Sequence, residues 1–152
     1  MIAVQNLYPV VALAPTSATA GATLTSSIID TRNYHYANIY VIASGAPATN
    51  TPTTIKLSES DSTAATTFNQ VTAFTGGAAG GFTIPPAQVT PGTAPYAVLN
   101  ADLRKRKRYL QVQYAPSTTQ TVTVLAQLSR ADASPVGTTI PANLNSAIVV
   151  TG

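Results

Sequence analysis

Short apolar segments separated by turn-forming residues are the feature that most constrains how this chain can fold. Runs rich in Val, Ile, Thr and Tyr recur along the sequence, and Gly, Pro, Asn and Ser stand between them. Few long stretches lack Gly, Pro or β-branched residues, and none of these carries an apolar stripe at helical spacing. The pattern therefore predicts short β-strands rather than helices.

About eight to ten segments fit this description, which is typical of a sandwich, a jelly roll or a barrel. We predict an all-β fold, an antiparallel β-sandwich or jelly roll. The candidate strands are Val10–Ala14, Thr23–Asp30, Tyr34–Ser44, Thr53–Ser60, Phe68–Phe74, Gly81–Ile84, Tyr96–Asn100, Tyr109–Ala115, Thr121–Ser129 and Ala147–Thr151.

Alternation is clearest in the candidate strands Tyr109–Ala115 and Thr121–Ser129. In both, apolar side chains occupy every second position, with Gln or Thr between them. A period of two puts one face of a strand in the core and the other in water. The linker Pro116–Thr119 is short enough for a hairpin, so we predict that these two strands pair with each other.

The segment Tyr34–Ser44 is apolar on both faces, because Tyr36, Tyr40 and Ile42 alternate with other apolar residues. A strand with two apolar faces is buried on both. We therefore expect it to be central in the domain, or to present one face to another subunit.

A chain of 152 residues is long enough for one domain with its own core, and we predict a single domain over residues 1–152. The Gly-, Pro- and Ala-rich segments Gly45–Pro52, Gly76–Gly81 and Pro85–Pro95 are interpreted as connectors. The Pro-, Ala- and Thr-rich ends, about residues 1–21 and 137–152, are interpreted as extended arms. Deleting Met1–Ala20 is then expected to leave the core folded.

Charged residues make up 9% of the chain, far below the roughly 25% of an average soluble domain. A surface that is polar but weakly charged is typical of proteins that work inside an assembly. The chain has no Cys, which excludes disulfides, thiolate nucleophiles and Cys-based zinc sites. The apolar segment Leu7–Ala14 contains Pro9 and follows no Lys or Arg, so we interpret it as mature structure rather than a signal peptide. No run approaches the ~18 apolar residues that span a bilayer.

Candidate catalytic residues are few, and we predict that the protein is not an enzyme and needs no cofactor or metal. The one histidine, His35, has no triad or ligand partners at a suitable spacing and is interpreted as a surface strand residue. Glu59 and Asp61 point to the same side of a strand, but they are interpreted as turn residues rather than a glycosidase pair or calcium site. The glycine-rich segment Gly76–Gly81 lacks the spacing and Lys of a phosphate loop and is interpreted as a flexible hairpin tip, or as a loop that orders on contact with a neighbour.

Arg104–Arg108 is the strongest local anomaly, since it holds five of the eight Lys and Arg residues. Nucleic-acid binding is one interpretation, with a log K against log salt slope of about −4 on duplex DNA, but no aromatic stacking platform accompanies the run. A second interpretation is a charged turn that keeps a sheet edge soluble. The third is a docking patch for an acidic partner surface such as a capsid shell.

Several segments together resemble a group of small structural proteins of tailed bacteriophages. They are Ile29–Tyr34 (IDTRNY), Ile55–Asp61 (IKLSESD), Arg106–Val112 (RKRYLQV) and Ala126–Asp132 (AQLSRAD), followed by Ser134 and Pro135. The similarity covers residues 28–135. The family pattern often has a Gly before its Lys-Arg-Tyr, and extra basic residues occupy that place here.

The resemblance implies a capsid decoration or cement protein with a sandwich or jelly-roll fold, located on the outer surface of the virion. Such proteins sit on the shell as dimers or trimers and clamp coat subunits, so the expected partners are the major capsid protein and further copies of the chain. It implies no catalytic residues. We expect partner contacts at the two arms and at these residues: Arg104, Lys105, Arg106, Lys107, Arg108, Tyr34 and Tyr36.

Three alternative functions remain open from the sequence. One is another phage part, namely a tail, fibre or head-completion protein. The second is a nucleic-acid-binding module that uses Arg104–Arg108. The third is a carbohydrate-binding β-module, in which Tyr8, Tyr34, Tyr36 and Tyr40 stack on sugars, although the chain has no Trp. Binding to a membrane is not expected.

Overall fold

The computed structural model describes residues 7–44, 51–84, 96–130 and 147–151. These residues form ten strands and two short 3-10 turns, Ala65–Thr67 and Leu103–Lys105, and contain no α-helix. The predicted all-β class is therefore confirmed. The strands are β1 (Leu7–Ala18), β2 (Leu24–Thr25), β3 (Ile29–Asp30), β4 (Tyr36–Ser44), β5 (Thr54–Ser60), β6 (Asn69–Thr75), β7 (Tyr96–Asp102), β8 (Tyr109–Ala115), β9 (Gln120–Ser129) and β10 (Ala147–Thr151).

The strands build two sheets that pack face to face. The first sheet has the order β1-β9-β4-β7-β10, and the second has the order β2-β8-β5-β6 with β3 also paired to β8. Strand β1 pairs with β9, β2 and β3 with β8, β4 with β7, and β5 with β6, all antiparallel. The strands thus form one long hairpin, with β5 and β6 at its closed end, and this hairpin is rolled up into two sheets. This is the strand order of a jelly roll.

Rolling the hairpin brings β4 beside β9 and β5 beside β8, again antiparallel. Among the described strands, β10 is the exception, because it lies parallel to β7 at the edge of the first sheet.

The core lies between the sheets and follows the alternation seen in the sequence. On β8 the buried side chains are Leu110, Val112 and Tyr114, and the Gln residues between them are partly exposed. Burial of these faces removes apolar surface from water, which stabilises the fold by roughly 25 cal/mol for each Å² buried. The other large core side chains, each less than 2% exposed, are Ile29, Ile39, Val41, Leu57, Phe74, Leu99, Val122, Val124 and Leu128.

The predicted hairpin between Tyr109–Ala115 and Thr121–Ser129 is wrong. Strand β8 pairs with β5 in the second sheet, whereas β9 lies between β1 and β4 in the first sheet. The short linker crosses from one sheet to the other. Alternation shows which face of a strand is buried. It does not show whether two strands pair in one sheet or lie in opposite sheets across the core, because both arrangements bury every second side chain.

Two further predicted strands differ from the structure. Thr23–Asp30 is divided into β2 and β3, because the ladder with β8 is interrupted between them. Ser26 still bonds to Val112 on β8, but the Ser27 backbone N–H donates to the Ala12 carbonyl on β1. Gly81–Ile84 forms only an isolated bridge between Gly76 and Phe82. The glycine-rich segment is a structured turn with positive φ at two glycines, and Phe82 reaches the core.

The predicted extended N-terminal arm differs from the structure over most of its length. Residues Leu7–Ala18 form β1, which pairs along its length with β9 and buries Ala12 and Ala18. At the other end, Ala147–Thr151 forms β10 against β7. Residues 19–21 form an exposed turn after β1. The other arm residues, 1–6, 137–146 and 152, and most of the predicted connectors 45–52 and 85–95, lie outside the described residues.

Strand β4 is central in the first sheet, between β9 and β7, as its apolar sequence predicted. Its inward residues Ile39 and Val41 belong to the core. On the outward face Asn38 is also buried, while Tyr40 and Ile42 are partly exposed.

Candidate interaction surfaces

The basic segment Arg104–Arg108 begins in a 3-10 turn and ends as β8 starts. Leu103 anchors the turn in the core, and Asp102 caps it by accepting a hydrogen bond from the Arg104 backbone N–H at 3.1 Å. The Arg104 side chain donates two further bonds to the same carboxylate, from Nε at 2.9 Å and from Nη2 at 2.6 Å. This fork geometry holds the first cation of the segment in one orientation.

The last cation of the segment, Arg108, is held in the same way by Asp30 at the end of β3. Its Nε and Nη2 donate to the two carboxylate oxygens at 2.9 and 2.6 Å. The Arg108 carbonyl in turn accepts hydrogen bonds from the backbone N–H and the hydroxyl of Thr31, at 3.0 and 2.7 Å. These contacts join the end of β3 to the start of β8.

Two of the three cations between Arg104 and Arg108 face the end of β5. Arg106 Nη1 lies 3.9 Å from Glu59 Oε1, and Lys107 Nζ lies 3.6 Å from Asp61 Oδ2. Glu59 also accepts a hydrogen bond from the Lys107 backbone N–H at 3.3 Å. Both acids therefore pair with the basic segment.

Together these contacts define the charged end of the sandwich, formed by residues 30–36, 59–61, 102–109 and 129–130 with Tyr8. Each of the four carboxylates in the described part of the chain pairs with one cation of Arg104–Arg108. The cations Arg32, Lys105 and Arg130 are exposed and form no ion pair with a described carboxylate. Seven Lys or Arg against four carboxylates leave this end positive.

Two of these ion pairs lower the pKa of the carboxylate that they contain. Hydrogen bonds from the Arg104 side chain lower the pKa of Asp102 to about 2, because they favour the charged carboxylate. The Arg108 side chain lowers the pKa of Asp30 in the same way. Both acids stay ionised well below neutral pH.

Aromatic rings accompany the cations at the charged end, contrary to the expectation that Arg104–Arg108 has no aromatic platform near it. The Arg104 guanidinium lies over the Tyr36 ring at 5.2 Å, and that of Arg130 lies over Tyr34 at 5.4 Å. Tyr34 also stacks on Tyr8, with ring centroids 5.8 Å apart. Tyr8 and Arg130 are distant in sequence from the basic segment, so no local pattern signals this stack.

The sequence-predicted contact residues Arg104–Arg108, Tyr34 and Tyr36 thus come together at one end of the molecule. Whether a partner binds there stays a prediction. The four tyrosines considered for sugar stacking do not form one surface. Tyr36 is buried beneath Arg104, and Tyr40 lies four residues further along β4.

His35 is exposed at the charged end and is held through its backbone, which donates to the Ser129 carbonyl and accepts from the Leu103 N–H, each at 2.8 Å. It precedes β4 rather than lying within a strand. In the described ranges, no group of three or more His, Asp or Glu residues could hold a metal ion.

A second surface, the apolar groove, lies on the outward face of the first sheet. It measures about 340 Å³ and is lined by Pro9, Val10, Val11, Tyr40, Leu125, Ala126 and Gln127. The side chain of Val11 is 64% exposed at its rim. Four large apolar residues in the described part of the chain are exposed. Three of them, Leu7, Tyr8 and Val11, lie on β1, and the fourth is Ile28. Sequence reasoning missed this surface, because the outer face of β1 was assigned to an arm.

No helix in the described residues is both long and apolar enough to cross a membrane. Comparison of the chain with protein-family models, with curated proteins and with solved structures gives no match.

Proposed function

We propose that this protein is a structural virion protein that decorates and cements the capsid of a tailed bacteriophage by bridging major capsid protein subunits. The charged end carries the proposal. There, ion pairs fix the basic segment at the end of a rigid sandwich and leave a positive surface. The resemblance of the sequence to phage structural proteins supports the same function. Jelly rolls are common in viral capsid domains, which adds support by analogy only.

Two physical properties of the charged end favour docking through it. Association costs free energy when mobile side chains must be ordered, and Arg104 and Arg108 are already held by paired hydrogen bonds. The exposed cations Arg32, Lys105 and Arg130 form no ion pair with a described carboxylate, and they remain available to an acidic patch on a coat subunit. Charges of this kind speed association and select partners more than they add affinity.

Reconstitution on particles tests the proposal. Purified protein is added to particles that lack it, and bound copies are counted by quantitative mass spectrometry and located by cryo-EM. We expect hundreds of copies on the outer shell, between coat subunits. A handful of copies at the tail or portal would replace the proposal with the alternative of a tail, fibre or head-completion protein, and an absence of binding would refute both.

Charge-reversal variants test the docking surface itself. The pair Lys105→Glu and Arg130→Glu changes exposed cations that have no described carboxylate partner, so the fold should be kept. We expect at least a ~10-fold loss of affinity for particles, since each reversed side chain would place a negative charge against the acidic patch and be repelled by it. Lys56→Glu is the matched control, because Lys56 lies in β5 away from the charged end and should bind as wild type. Equal binding by all variants would exclude the charged end.

The aromatic stack favours one second candidate, binding of single-stranded nucleic acid. Tyr8, Tyr34 and Arg130 form a platform of the kind on which bases stack. Because four cations of the basic segment are paired, only about three phosphates would be neutralised, giving a log K against log salt slope near −2 for single strands. Filter binding across salt tests this, and no affinity at low salt removes the candidate.

A further inference from the structure

Four arginines of the charged end lie over aromatic rings, and three of them also hold a carboxylate. The guanidinium carbons lie 4.7–5.9 Å from the ring centroids in these pairs: Arg104 with Tyr36, Arg106 with Phe74, Arg108 with Tyr109 and Arg130 with Tyr34. The first three arginines pair with Asp102, Glu59 and Asp30, at N–O distances of 2.6–3.9 Å. Arg130 is exposed and forms no ion pair with a described carboxylate. The set of ring, guanidinium and carboxylate is thus complete at three arginines and lacks the carboxylate at Arg130.

The position of Arg130 over Tyr34 leaves its hydrogen-bond donors free. Contact with a ring uses the face of a guanidinium, whereas its N–H groups lie in the guanidinium plane and form a fork that fits the two oxygens of a carboxylate. Arg104 and Arg108 show both contacts at once, since each lies over a ring and donates from Nε and Nη2 to one carboxylate. Arg130 can therefore bind a carboxylate in the same way.

Exposed apolar side chains lie beside Arg130. Tyr8 stacks on the Tyr34 ring, with centroids 5.8 Å apart, and is 54% exposed. Leu7, which is also exposed, pairs with the last residue of β9, next to Arg130. Tyr8 pairs with the core residue Leu128, so its side chain lies on the core side of β1 and away from the apolar groove. Tyr and Arg are the residue types that contribute most binding energy in protein interfaces.

A partner with few negative charges fits this site better than a polyanion. The side chains of Asp30, Asp61 and Asp102 also lie at the charged end and are 46%, 73% and 33% exposed. A nucleic-acid strand carries one phosphate per nucleotide, and these carboxylates would repel it where it continues across the charged end. A single Asp or Glu on a polypeptide places one charge at Arg130, and its apolar neighbours can pack on the Tyr8 ring.

We infer that Arg130, with Tyr34 behind it and Tyr8 beside it, is a binding site for a carboxylate, supplied by an Asp or Glu of a partner polypeptide that has an apolar residue next to it. The carboxylate accepts two hydrogen bonds from the Arg130 fork, and the apolar residue packs on Tyr8. The basic segment then serves as a frame whose ion pairs are already made. That the partner is a coat subunit rests on the proposed function, whereas the chemistry of the site does not.

Binding of synthetic polymers to the purified full-length chain tests the inference. The probes are a labelled copolymer of Glu and Tyr, poly-Glu and an oligothymidylate, each measured by fluorescence anisotropy at ~0.1 M salt. We expect the copolymer to bind most tightly and the oligothymidylate most weakly. Arg130→Gln should weaken copolymer binding by at least ~10-fold, because two charge-assisted hydrogen bonds are lost. Arg130→Lys should lose nearly as much although it keeps the charge, because Lys has no planar fork.

Arg32→Gln is the matched control. Arg32 is also exposed and has no ion pair with a described carboxylate, and it lies over no described ring. Its loss removes the same charge and should weaken copolymer binding by less than ~3-fold. Tyr8→Ala should weaken binding of the copolymer and leave binding of poly-Glu unchanged, which separates the ring contact from the carboxylate contact. Circular dichroism and thermal unfolding check that the variants are folded.

Three results would overturn the inference: a wild-type chain that does not bind the copolymer at ~1 mM, an Arg130→Gln variant that binds it as wild type, or an equal loss in Arg32→Gln. Tighter binding of the oligothymidylate that Arg130→Gln abolishes would also overturn it, and would assign the site to phosphates.

Binding to particles separates this site from the proposed function. A wild-type chain that binds the copolymer but no particles would support the carboxylate site and refute the proposed function. An Arg130→Gln variant that loses the copolymer and still covers particles as wild type would support the site as well, and would show that the coat contact lies elsewhere.

Discussion

Tyr114 and Gln120 are six residues apart in sequence, lie in opposite sheets and are joined by a hydrogen bond through the core. The Tyr114 hydroxyl on β8 donates to Gln120 Oε1 at the start of β9, at 2.8 Å. Both residues are 2% exposed. The bond spans the point at which the chain crosses from one sheet to the other, so it links the two layers beside their connecting loop.

Removing this hydroxyl should destabilise the protein. Tyr114→Phe keeps the ring in place and leaves Gln120 Oε1 buried without a donor, and the Gln120 amide nitrogen already has no partner in the described structure. We expect the free energy of unfolding to fall by about 1–3 kcal/mol in urea titrations, the cost of an unsatisfied buried polar group. Tyr109→Phe, at the half-buried start of the same strand, is the control and should change it by less than ~0.5 kcal/mol. Equal losses would contradict this role for the bond.

The connection between Tyr114 and Gln120 also marks where sequence analysis succeeds and fails. Alternation located β8 to the residue, and β9 within one residue, because the core selects every second side chain whichever sheet the strand joins. It could not assign the sheet. Pairing in the jelly roll is set by the β5–β6 closure and by rolling of the whole hairpin, which are properties of many strands together.

The charged end shows the same limit. The local pair between Asp102 and Arg104 is visible in the sequence, since only one residue separates them. Asp30 reaches Arg108 across 78 positions, and Glu59 contacts the Lys107 backbone across 48. These partners become neighbours only because β3, β5 and β8 adjoin in the second sheet. Arg104–Arg108 therefore stands out in the sequence as unpaired charge and is largely paired in the fold.

Acid should weaken the protein within a defined pH window. The folded-state pKa of Asp102 is about 2, below its ordinary value of 3.8, and that of Asp30 is also lowered. A carboxyl with a depressed pKa adds stability above its unfolded pKa, and this stability is lost as pH falls through the folded pKa. We expect unfolding temperatures to drop between pH 4 and 2.

The variant Asp30→Asn with Asp102→Asn isolates these two pairs. It should show a smaller drop over the same pH range than wild type, and 1 M salt should reduce the difference because both pairs are solvent-accessible. Identical acid profiles for wild type and variant would mean that other groups control the transition.

Gly81 should not tolerate a side chain. A Cβ at this position would collide with the Thr75 carbonyl oxygen and lie 3.0 Å from the Thr72 carbonyl oxygen, both of them backbone atoms of β6. Gly81→Ala must therefore shift the turn that carries Phe82 into the core. We expect a loss of roughly 2–4 kcal/mol in urea unfolding, in the upper range for single substitutions.

Gly21→Ala is the comparison, because its Cβ meets no atom within 4 Å and only the positive φ of 76° is strained. Its cost should be about 1 kcal/mol. The reverse order of the two losses would show that the close approach at Gly81 relaxes without cost.

Deletion of residues 1–20 distinguishes an arm from a strand. An arm could be removed without loss of stability, but this deletion takes away β1, its ladder with β9 and the core residue Ala12. It would also expose the edge of β9 to solvent and to other chains. We expect the free energy of unfolding to fall by roughly 3–6 kcal/mol, a large part of the 5–15 kcal/mol typical of a domain. The denaturant m-value should fall as well, because less surface is buried. A shortened chain with the midpoint and m-value of the full-length protein would mean that β1 contributes nothing to the core, and the first sheet would then end at β9.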